Sequence, residues 1–423
     1  MAELKGFCGL RFTQKAGDKA EVCCPPYDII SAAEKAEFLR KNGHNIIRLE
    51  LPEPTADGYS TAAEVKKEWT DSGILAADKN ESIYIYEERF TVKGKQYSFK
   101  GFTCYVKLHE FSEGVVLPHE ETLSKAKADR FELLKATGCS FSQIYSLYTD
   151  PHGITNKLLD ELSSGEPDDV FTDGQGVTHM LWAVPECEKT AEIFAKFKDK
   201  KLYIADGHHR YETALNYRRY VHENGLKQPN SEYIMMFLVN MENDGLVVFP
   251  THRIVHDLKN FDRKSVLSAA EEYFHIKEIN KDSAEAFLDA EYARHGKAFV
   301  MLTKEKTYAL TLRDLAVMDK LLPDKSEALR RLDVTVLHSL ILENIMGIDR
   351  ENMAKQINLT YTRDAGEAYA AAQTYADCSF LLNPTRVDEI AAVAAAGEKM
   401  PQKSTYFYPK LITGLVMNEV IKK

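Results

Sequence analysis

Five consecutive residues, Asp206-Gly207-His208-His209-Arg210, separate a short apolar run from a helical pattern. Residues 202–205 are typical of a buried strand, and residues 210–222 predict a helix, because they lack Pro and Gly and carry apolar side chains at helical spacing. A glycine turn at the beginning of a helix exposes backbone amides that attract anions, phosphate above all. His209 and Arg210 would add positive charge there, and Asp206 would hold a metal ion or accept a proton. The sequence therefore predicts an anion-binding site at this turn.

A second stretch with similar side chains follows an apolar run at residues 115–117. His119 and Glu120 come first, and a helix that Ser124 would cap then carries Lys125 and Arg130. These cations predict further phosphate contacts, and Glu120 is a second candidate for the base.

Two more motifs lie farther along the chain. His252 and Arg253 form a second His-Arg pair at the end of an apolar strand. Lys403, Ser404 and Thr405 could contact an anion, although the stretch lacks the GxxxxGK[ST] pattern of a P-loop.

The elements that must position these side chains alternate between strand and helix patterns. Ser31 and Glu34 form a capping box that predicts a helix, and residues 82–90 and 96–107 predict a hairpin. Residues 46–51 alternate apolar and charged side chains, which we interpret as a strand with one polar face. The alternation predicts an α/β (α+β) fold.

A chain of 423 residues exceeds the size at which one hydrophobic core stops growing. We expect a catalytic α/β domain at residues 1–256, a small αβαββ insert at 257–313 and a C-terminal α/β segment at 314–423 that completes the site. The insert carries no obvious chemistry, so we assign it to scaffolding or oligomer contacts; a homodimer is left open.

The composition excludes several classes of protein. With 44% hydrophobic and 28% charged residues the chain is typical of a globular protein, and no apolar run is long enough to span a membrane. The N-terminus lacks a signal pattern, so we expect a cytoplasmic protein. A formal net charge of -10 argues against a broad nucleic-acid surface, although it permits a local positive pocket.

The cysteines are scattered and odd in number. The sequence has 7 of them and no CxxC pair, which argues against a zinc ribbon or a disulfide framework. We predict that they are reduced and mostly buried.

Six separated motifs, in order, resemble the signature of a bacterial and archaeal family of unknown function, numbered 1015 and sometimes labelled ParB/SpoOJ-like. The motifs are spread over nearly the whole chain, from residue 24 to residue 407. The motifs are Cys24-Pro25-Pro26-Tyr27-Asp28, Leu117-Pro118-His119-Glu120, Leu123-Ser124-Lys125, Ile204 to Glu212, Pro250-Thr251-His252-Arg253 and Met400 to Phe407.

The box at residues 206–210 also resembles the ParB/sulfiredoxin superfamily. That resemblance implies a ParB/sulfiredoxin-like catalytic core in which Gly207, His209 and Arg210 hold nucleotide phosphates. One branch of the superfamily phosphorylates free serine, and Asp206 takes the place of its active-site aspartate. The chain shows no basic helix-turn-helix, and His208 replaces the cysteine that sulfiredoxins need.

These observations favour a phosphotransferase acting on a small hydroxyl compound, with free L-serine as the best single choice. Such an enzyme needs cationic donors, Mg²⁺ and a carboxylate near the acceptor hydroxyl. The donor could be ATP, ADP or pyrophosphate, and water as acceptor would give a phosphatase. The predicted site comprises the catalytic residues Asp206, Glu120 and His209; the phosphate-binding residues Gly207, His208, His209, Arg210, Lys125, Arg130, Lys403 and Ser404; the substrate-binding residues His119, Glu212, His252, Arg253 and Thr405; and Asp206 as ligand of Mg²⁺.

Two alternatives remain open. A ParB-like nucleotide switch or nucleic-acid-binding protein predicts a basic stripe, which the acidic composition disfavours. A metal-dependent hydrolase would use Asp206, His208, His209 and Glu212. His208 and Glu212 are spaced i,i+4 and could share a metal ion, but adjacent histidines on a helix diverge.

Overall fold

The computed structural model describes residues 1–56, 58–120 and 124–421, except for the side chains of residues 124–126. The chain forms two compact units. Unit 1 consists of residues 1–118, 122–246 and 409–423, and unit 2 consists of residues 119–121 and 247–408. The chain therefore leaves unit 1 after Leu246 and returns to it at Pro409.

Both units contain β-sheets. In chain order the strands are β1 (Leu4–Lys5), β2 (Leu10–Phe12), β3 (Leu75–Ala77), β4 (Ser82–Val92), β5 (Lys95–Lys107), β6 (Val116–Leu117), β7 (Cys139–Ser140), β8 (Ile144–Tyr148), β9 (Asp169–Thr172), β10 (Thr178–Pro185), β11 (Leu202–Asp206), β12 (Tyr233–Asn240), β13 (Val247–Val248), β14 (His252–Val255), β15 (Phe274–Ile279), β16 (Ala298–Leu302), β17 (Thr307–Leu312), β18 (Leu359–Thr362), β19 (Cys378–Leu382), β20 (Phe407–Tyr408) and β21 (Asn418–Glu419).

Helices of varied length connect these strands. They are α1 (Lys19–Val22), α2 (Ala32–Lys41), α3 (Ile47–Glu50), α4 (Ser60–Asp71), α5 (Ser124–Thr137), α6 (Ile154–Leu162), α7 (Glu188–Phe197), α8 (His208–Glu223), α9 (Arg263–Ala270), α10 (Ala284–Ala293), α11 (Ala316–Leu321), α12 (Glu327–Arg330), α13 (Asp333–Val336), a π-helix (Leu337–Ile345), α14 (Arg350–Lys355), α15 (Ala365–Thr374) and α16 (Val387–Ala395). Across the described ranges, no helix combines the length and apolar character needed to cross a bilayer.

A large mixed sheet forms the centre of unit 1. Its strands follow the order β6-β11-β8-β12-β5-β4-β10-β9, and β1 also pairs with β5. The predicted hairpin is confirmed: β4 and β5 are joined at Lys93 and Gly94, whose φ angles of 47° and 77° are those of a tight hairpin turn. Ile85, Phe102 and Met236 belong to the core that this sheet contributes. A mixed sheet with flanking helices confirms the predicted α/β (α+β) class.

The interpretation of residues 46–51 as a strand is wrong. They contain the helical turn α3, because the Asn45 side chain accepts a hydrogen bond from the Ile47 amide at 2.9 Å and starts the turn. A six-residue alternation is too short to distinguish a strand from one buried helical turn. The error matters because Glu50, which the strand would place on a polar face, is only 4% exposed.

Unit 2 is built on a second sheet with the order β15-β17-β16-β19-β14-β18. Strands β14, β19 and β16 are neighbours in it, although they come from the three different segments that the sequence suggested. The expected boundaries at residues 256 and 313 therefore fall inside this sheet. Residues 263–312 contain the elements α9-β15-α10-β16-β17 in this order, and the division of the chain into a domain, an insert and a C-terminal segment stays a prediction.

The short strand β13 follows the turn at residues 242–245 and pairs with β20, which is distant in the sequence. This pairing connects the start of unit 2 to the motif at residues 400–407. The cysteine prediction is confirmed, since all seven are free thiols: Cys187 is exposed, Cys8 is partly buried and the others are buried.

Candidate functional site

The predicted strand–turn–helix is present at residues 202–223. Strand β11 pairs with β6 and β8, and its register against β8 shifts between Ile204 and Asp206. Such a bulge re-aims the side chains at the end of a strand. Gly207 follows with φ 95°, and α8 begins at His208, two residues earlier than the sequence predicted. Asp206 thus lies directly before the N-terminus of a long helix, where amide groups favour negative charge.

Asp206 forms ion pairs with two cationic side chains. Its Oδ2 accepts a hydrogen bond from Arg210 at 2.6 Å, and its Oδ1 accepts one from the Lys410 ammonium. Arg210 also donates to the carbonyl of Gln143, the residue before β8. All three charged side chains are largely buried, so the group is held in a fixed arrangement.

The charge of Asp206 is stabilised by its surroundings. Burial alone would raise its pKa, but the charges of Lys410 and Arg210 hold the pKa of this carboxyl well below its usual range. A carboxylate with so low a pKa is a weak base near neutral pH. Asp206 is therefore suited to orienting Arg210 and Lys410.

Arg130 lies in the same unit, on α5. Its guanidinium carbon is 4.4 Å from the centre of the Tyr27 ring, and it donates to the Glu50 carbonyl and to the Asp129 carboxylate. Tyr27 belongs to the Cys-Pro-Pro-Tyr-Asp motif, so this contact joins a predicted phosphate-binding residue to one of the motifs quoted for the family resemblance.

Glu50 is a buried carboxyl that the sequence interpretation overlooked. It accepts a hydrogen bond from the Ser142 hydroxyl at 3.0 Å. Burial raises its pKa, and the charges of Arg130 and Arg210 offset that effect only in part. Glu50, Ser142, Arg130 and Arg210 line a cavity of about 40 Å³ in unit 1.

The remaining residues of the box surround this cluster. His208 is buried, and a positive charge on its imidazole would help to lower the pKa of Asp206. His209 is half-buried, and burial lowers its pKa although Glu212 and Asp28 act in the opposite direction. Glu212 pairs with Lys127 of α5 at 2.5 Å. At neutral pH His209 is therefore a neutral imidazole, which serves as a hydrogen-bonding group and not as a fixed positive charge.

The cluster does not fit the predicted Mg²⁺. Both oxygens of Asp206 bind cationic side chains, which repel and compete with a divalent cation. In the part of the chain that the structure describes, no three His, Cys, Asp or Glu side chains are grouped so as to hold a metal ion.

Unit 2 brings together the other predicted motifs. The His119 imidazole lies 3.1 Å from the Thr405 hydroxyl, and Glu120 accepts a hydrogen bond from the Lys403 amide at 3.2 Å. The Ser404 hydroxyl donates to the Pro401 carbonyl. Residues 119–120 and 400–405 thus form one packed cluster in unit 2, while Asp206, Arg210 and Arg130 lie in unit 1. A composite site that combines the two groups stays a prediction.

The second His-Arg pair is buried in unit 2. His252 is 4% exposed and accepts a long hydrogen bond of 3.4 Å from the Leu382 amide. Arg253 is 1% exposed and donates to His338 and to the carbonyls of Thr251 and Lys403. Both side chains are therefore internal supports, and a direct substrate contact by either would need that packing to open.

Two functional candidates were missed, and one predicted residue lies outside the described part. Glu50 was misplaced with its strand, and Lys410 was given no role from the sequence. The side chain of Lys125, predicted to bind phosphate, lies outside the described residues. The sequence feature that could have identified Lys410 as a functional residue is its position just after the Met400–Phe407 motif.

Replacing Gly207 by alanine is expected to reduce both stability and activity. A Cβ atom there would lie 3.0 Å from the Arg210 guanidinium, at a φ of +95° that alanine avoids. We expect a loss of about 1–2 kcal/mol of unfolding free energy from the backbone and displacement of Arg210 from Asp206. Urea unfolding and kcat/KM measure the two effects.

Gly225, just beyond the end of the same helix, provides the matched control. It also has a positive φ, of +62°, but a Cβ there meets nothing within 4 Å. Gly225→Ala should therefore lose similar stability and keep its activity. Equal activities of the two variants would contradict a role for the Gly207–Arg210 contact.

One family model covers most of the chain. Residues 4–335 match a family model described as "Protein of unknown function (DUF1015)". No curated protein matches the chain. A conserved hypothetical protein from Pyrococcus furiosus is 15% identical, with a TM-score of 0.34 over 72% of this chain and 90% of that one.

Two other solved structures are similarly distant. A variant free serine kinase in complex with ADP is 14% identical, with a TM-score of 0.36 over 72% of this chain and 87% of that one. A C-terminally truncated SbnI from Staphylococcus aureus is 12% identical, with a TM-score of 0.36 over 74% of this chain and 87% of that one. At these values the likeness assigns no activity and no residue role.

Proposed function

The chain belongs to the DUF1015 family, and from that premise we propose that unit 1 is a phosphotransferase acting on a small hydroxyl compound, with free L-serine as acceptor. The observation that carries the proposal is the cluster at the N-terminus of α8. There the buried Asp206 holds two cations, Arg210 and Lys410, beside helix amides. Phosphoryl transfer depends on such fixed positive charge, because the enzyme mainly positions the reactants and neutralises the phosphate oxygens.

The adjoining cavity favours a small acceptor. Its volume of about 40 Å³ has room for about three water molecules. A hydroxymethyl group fits that space, and a nucleotide does not. The wall includes Glu50 and Ser142, which are hydrogen-bonded to each other and can bind a hydroxyl group.

Glu50 is the better choice for the base. The sequence left Asp206 and Glu120 as candidates, but the pKa of Asp206 is lowered whereas burial raises the pKa of Glu50. A carboxylate whose pKa lies closer to the working pH accepts a proton more readily. We therefore assign Glu50 to the acceptor hydroxyl, with Arg210 and Arg130 on the transferred phosphoryl group.

The proposed step transfers the terminal phosphoryl group of the donor to the acceptor hydroxyl. The acceptor oxygen forms a bond to the terminal phosphorus of the donor, and the bond from that phosphorus to the bridging oxygen breaks. The hydroxyl proton passes to Glu50, and the leaving phosphate departs with the electron pair. Arg210, Arg130 and Lys410 neutralise the charge that develops on the oxygens.

A donor–acceptor panel tests the proposal. We would incubate the full chain with L-serine and with ATP, ADP or pyrophosphate, each with Mg²⁺ as the usual partner of these phosphates, and measure phosphoserine and released phosphate. We expect phosphoserine with at least one donor, and a loss of about a hundredfold or more in Glu50→Gln. Glu166→Gln is the matched control, because Glu166 is exposed in the same unit.

Two outcomes would argue against this function. Absence of phosphoserine with every donor would exclude serine as the acceptor. Phosphate release that is the same in wild type and Glu50→Gln would remove the carboxyl from the chemistry. Release without phosphoserine that depends on Glu50 would instead indicate transfer to water.

A further inference from the structure

Unit 2 contains a cavity whose lining includes none of the residues of the cluster proposed for catalysis. Its volume is about 180 Å³, which corresponds to space for about a dozen water molecules. Its lining includes the apolar side chains of Leu322, Leu329 and Met353. It also includes polar groups from α13, the π-helix and β18, and a site of this mixed composition is typical of small-molecule pockets.

Two hydroxyl groups in this cavity have no hydrogen-bond partner in the part of the chain that the structure describes. They are the Oγ1 of Thr335, a residue that is 4% exposed, and the phenolic oxygen of Tyr361. A buried polar atom without a partner costs about 1–3 kcal/mol, so proteins rarely keep one without a reason. Burial also raises the pKa of Tyr361, which keeps its hydroxyl protonated as a donor.

A buried positive charge contacts two of the lining residues. Arg253 donates to the imidazole of His338, and its guanidinium carbon is 5.3 Å from the centre of the Tyr361 ring. The hydrogen-bond acceptors that hold Arg253 are the imidazole and two backbone carbonyls. A buried guanidinium held by neutral acceptors gains from a nearby anion, because burial deprives it of water.

The helix that carries His338 has an unusual geometry. Leu337–Ile345 is a π-helix, a form that is rare and is found mostly at functional positions. Its wider turn brings His338 and Glu343 onto the same side, and both line the cavity. Since Arg253 donates to the Nε2 of His338, the neutral imidazole has its proton on Nδ1 and is a further donor.

Charged side chains at the cavity are mainly cationic. Lys325, Arg350 and Lys399 contribute positive charge, against the single carboxylate of Glu343 among the lining residues. The Arg350–Glu343 pair is long, at 3.6 Å, and its arginine is 71% exposed. These cations would attract an anion toward the donors inside.

We propose that this cavity is a binding site for a small organic anion, a carboxylate or a phosphate monoester with an apolar body. Its anionic group binds the hydroxyls of Thr335 and Tyr361 and the imidazole of His338. Its apolar body packs against the wall of Leu322 and Met353. The proposal gives the sequence motifs at residues 250–253 and 400–402 a shared role, since Arg253 supports the donor wall and Met400, Pro401 and Gln402 line the cavity.

Paired probes in calorimetric titrations test this site. Benzoate and phenyl phosphate share one apolar body and differ in the anionic group, so they separate the carboxylate from the phosphate. The full chain is titrated in an Arg210→Ala background, which removes the arginine that would bind phosphate in unit 1. We expect one probe to bind with a 1:1 stoichiometry, and its affinity to fall at least tenfold in Thr335→Val and in Tyr361→Phe.

Stability measurements distinguish this role from a purely structural one. Because the two hydroxyls have no partner, their removal should leave the Tm unchanged or raise it while binding is lost. Tyr375→Phe is the matched control, since Tyr375 is 64% exposed in the same unit. Absence of binding by both probes would overturn the proposal, and so would binding that both cavity variants retain. Neither result bears on the serine kinase assay.

Discussion

Arg210→Ala is expected to lower kcat/KM for phosphoryl transfer about a thousandfold, equivalent to about 4 kcal/mol of transition-state stabilisation. Arg210 joins three parts of the described site. It binds the Asp206 carboxylate and the Gln143 carbonyl, and it lines the cavity with Glu50. Its loss removes a planar double donor that lysine cannot replace, so Arg210→Lys should recover only part of the activity.

Two measurements make this prediction specific. Arg219→Gln alters an exposed arginine of the same helix and should retain wild-type kinetics. Tryptophan fluorescence then checks the fold, because both tryptophans of the chain, Trp69 and Trp182, lie in unit 1. An Arg210→Ala variant that is folded and keeps more than a tenth of wild-type activity would contradict the proposed site.

Acidification from pH 6.5 to about 4 is expected to destabilise unit 2 by about 3 kcal/mol through His252 alone. Burial and the neighbouring Arg253 lower the pKa of His252 to about 4, whereas an unfolded histidine has a pKa near 6.5. Between these values the unfolded chain binds a proton that the folded chain does not, so the stability falls as the pH falls. His338 adds to the effect, since burial and Arg253 lower its pKa as well.

Hydrogen exchange of the β14 and β19 amides at several pH values would measure this loss. The variants His252→Gln and His338→Gln keep a neutral acceptor, and together they should flatten the dependence between pH 4 and 6.5. Tryptophan fluorescence provides an internal reference, because it reports on unit 1 only. If the double variant keeps the wild-type slope, the two histidines are not responsible.

Local patterns predicted the local elements. The strand and helix at residues 202–223, the capping box at Ser31 and the hairpin at Lys93-Gly94 each depend on signals within a few residues. The residues of the box and their proximity to one another could likewise be predicted, because a strand, a glycine and a helix fix their spacing.

Long-range pairing could not be predicted in the same way. Lys410 pairs with Asp206 across 204 residues, and no local signal specifies that partner. Glu50 was misplaced because six alternating residues satisfy a strand and a buried turn equally well. The three expected segments were divided at helix and hairpin boundaries, whereas the sheet of unit 2 joins β14, β16 and β19 edge to edge. Tertiary packing determines the partner of Asp206, the conformation around Glu50 and the strands that share a sheet.

The return of the chain to unit 1 after residue 408 has a consequence for biosynthesis. Asp206 leaves the ribosome 204 residues before Lys410, an interval of about 10–40 seconds at ordinary rates of translation. Residues 247–408 of unit 2 are synthesised in that time, while the aspartate has Arg210 but not its second cation. A nascent chain can therefore fold most of the unit 1 sheet, yet its charge cluster is completed only after Lys410 has been synthesised.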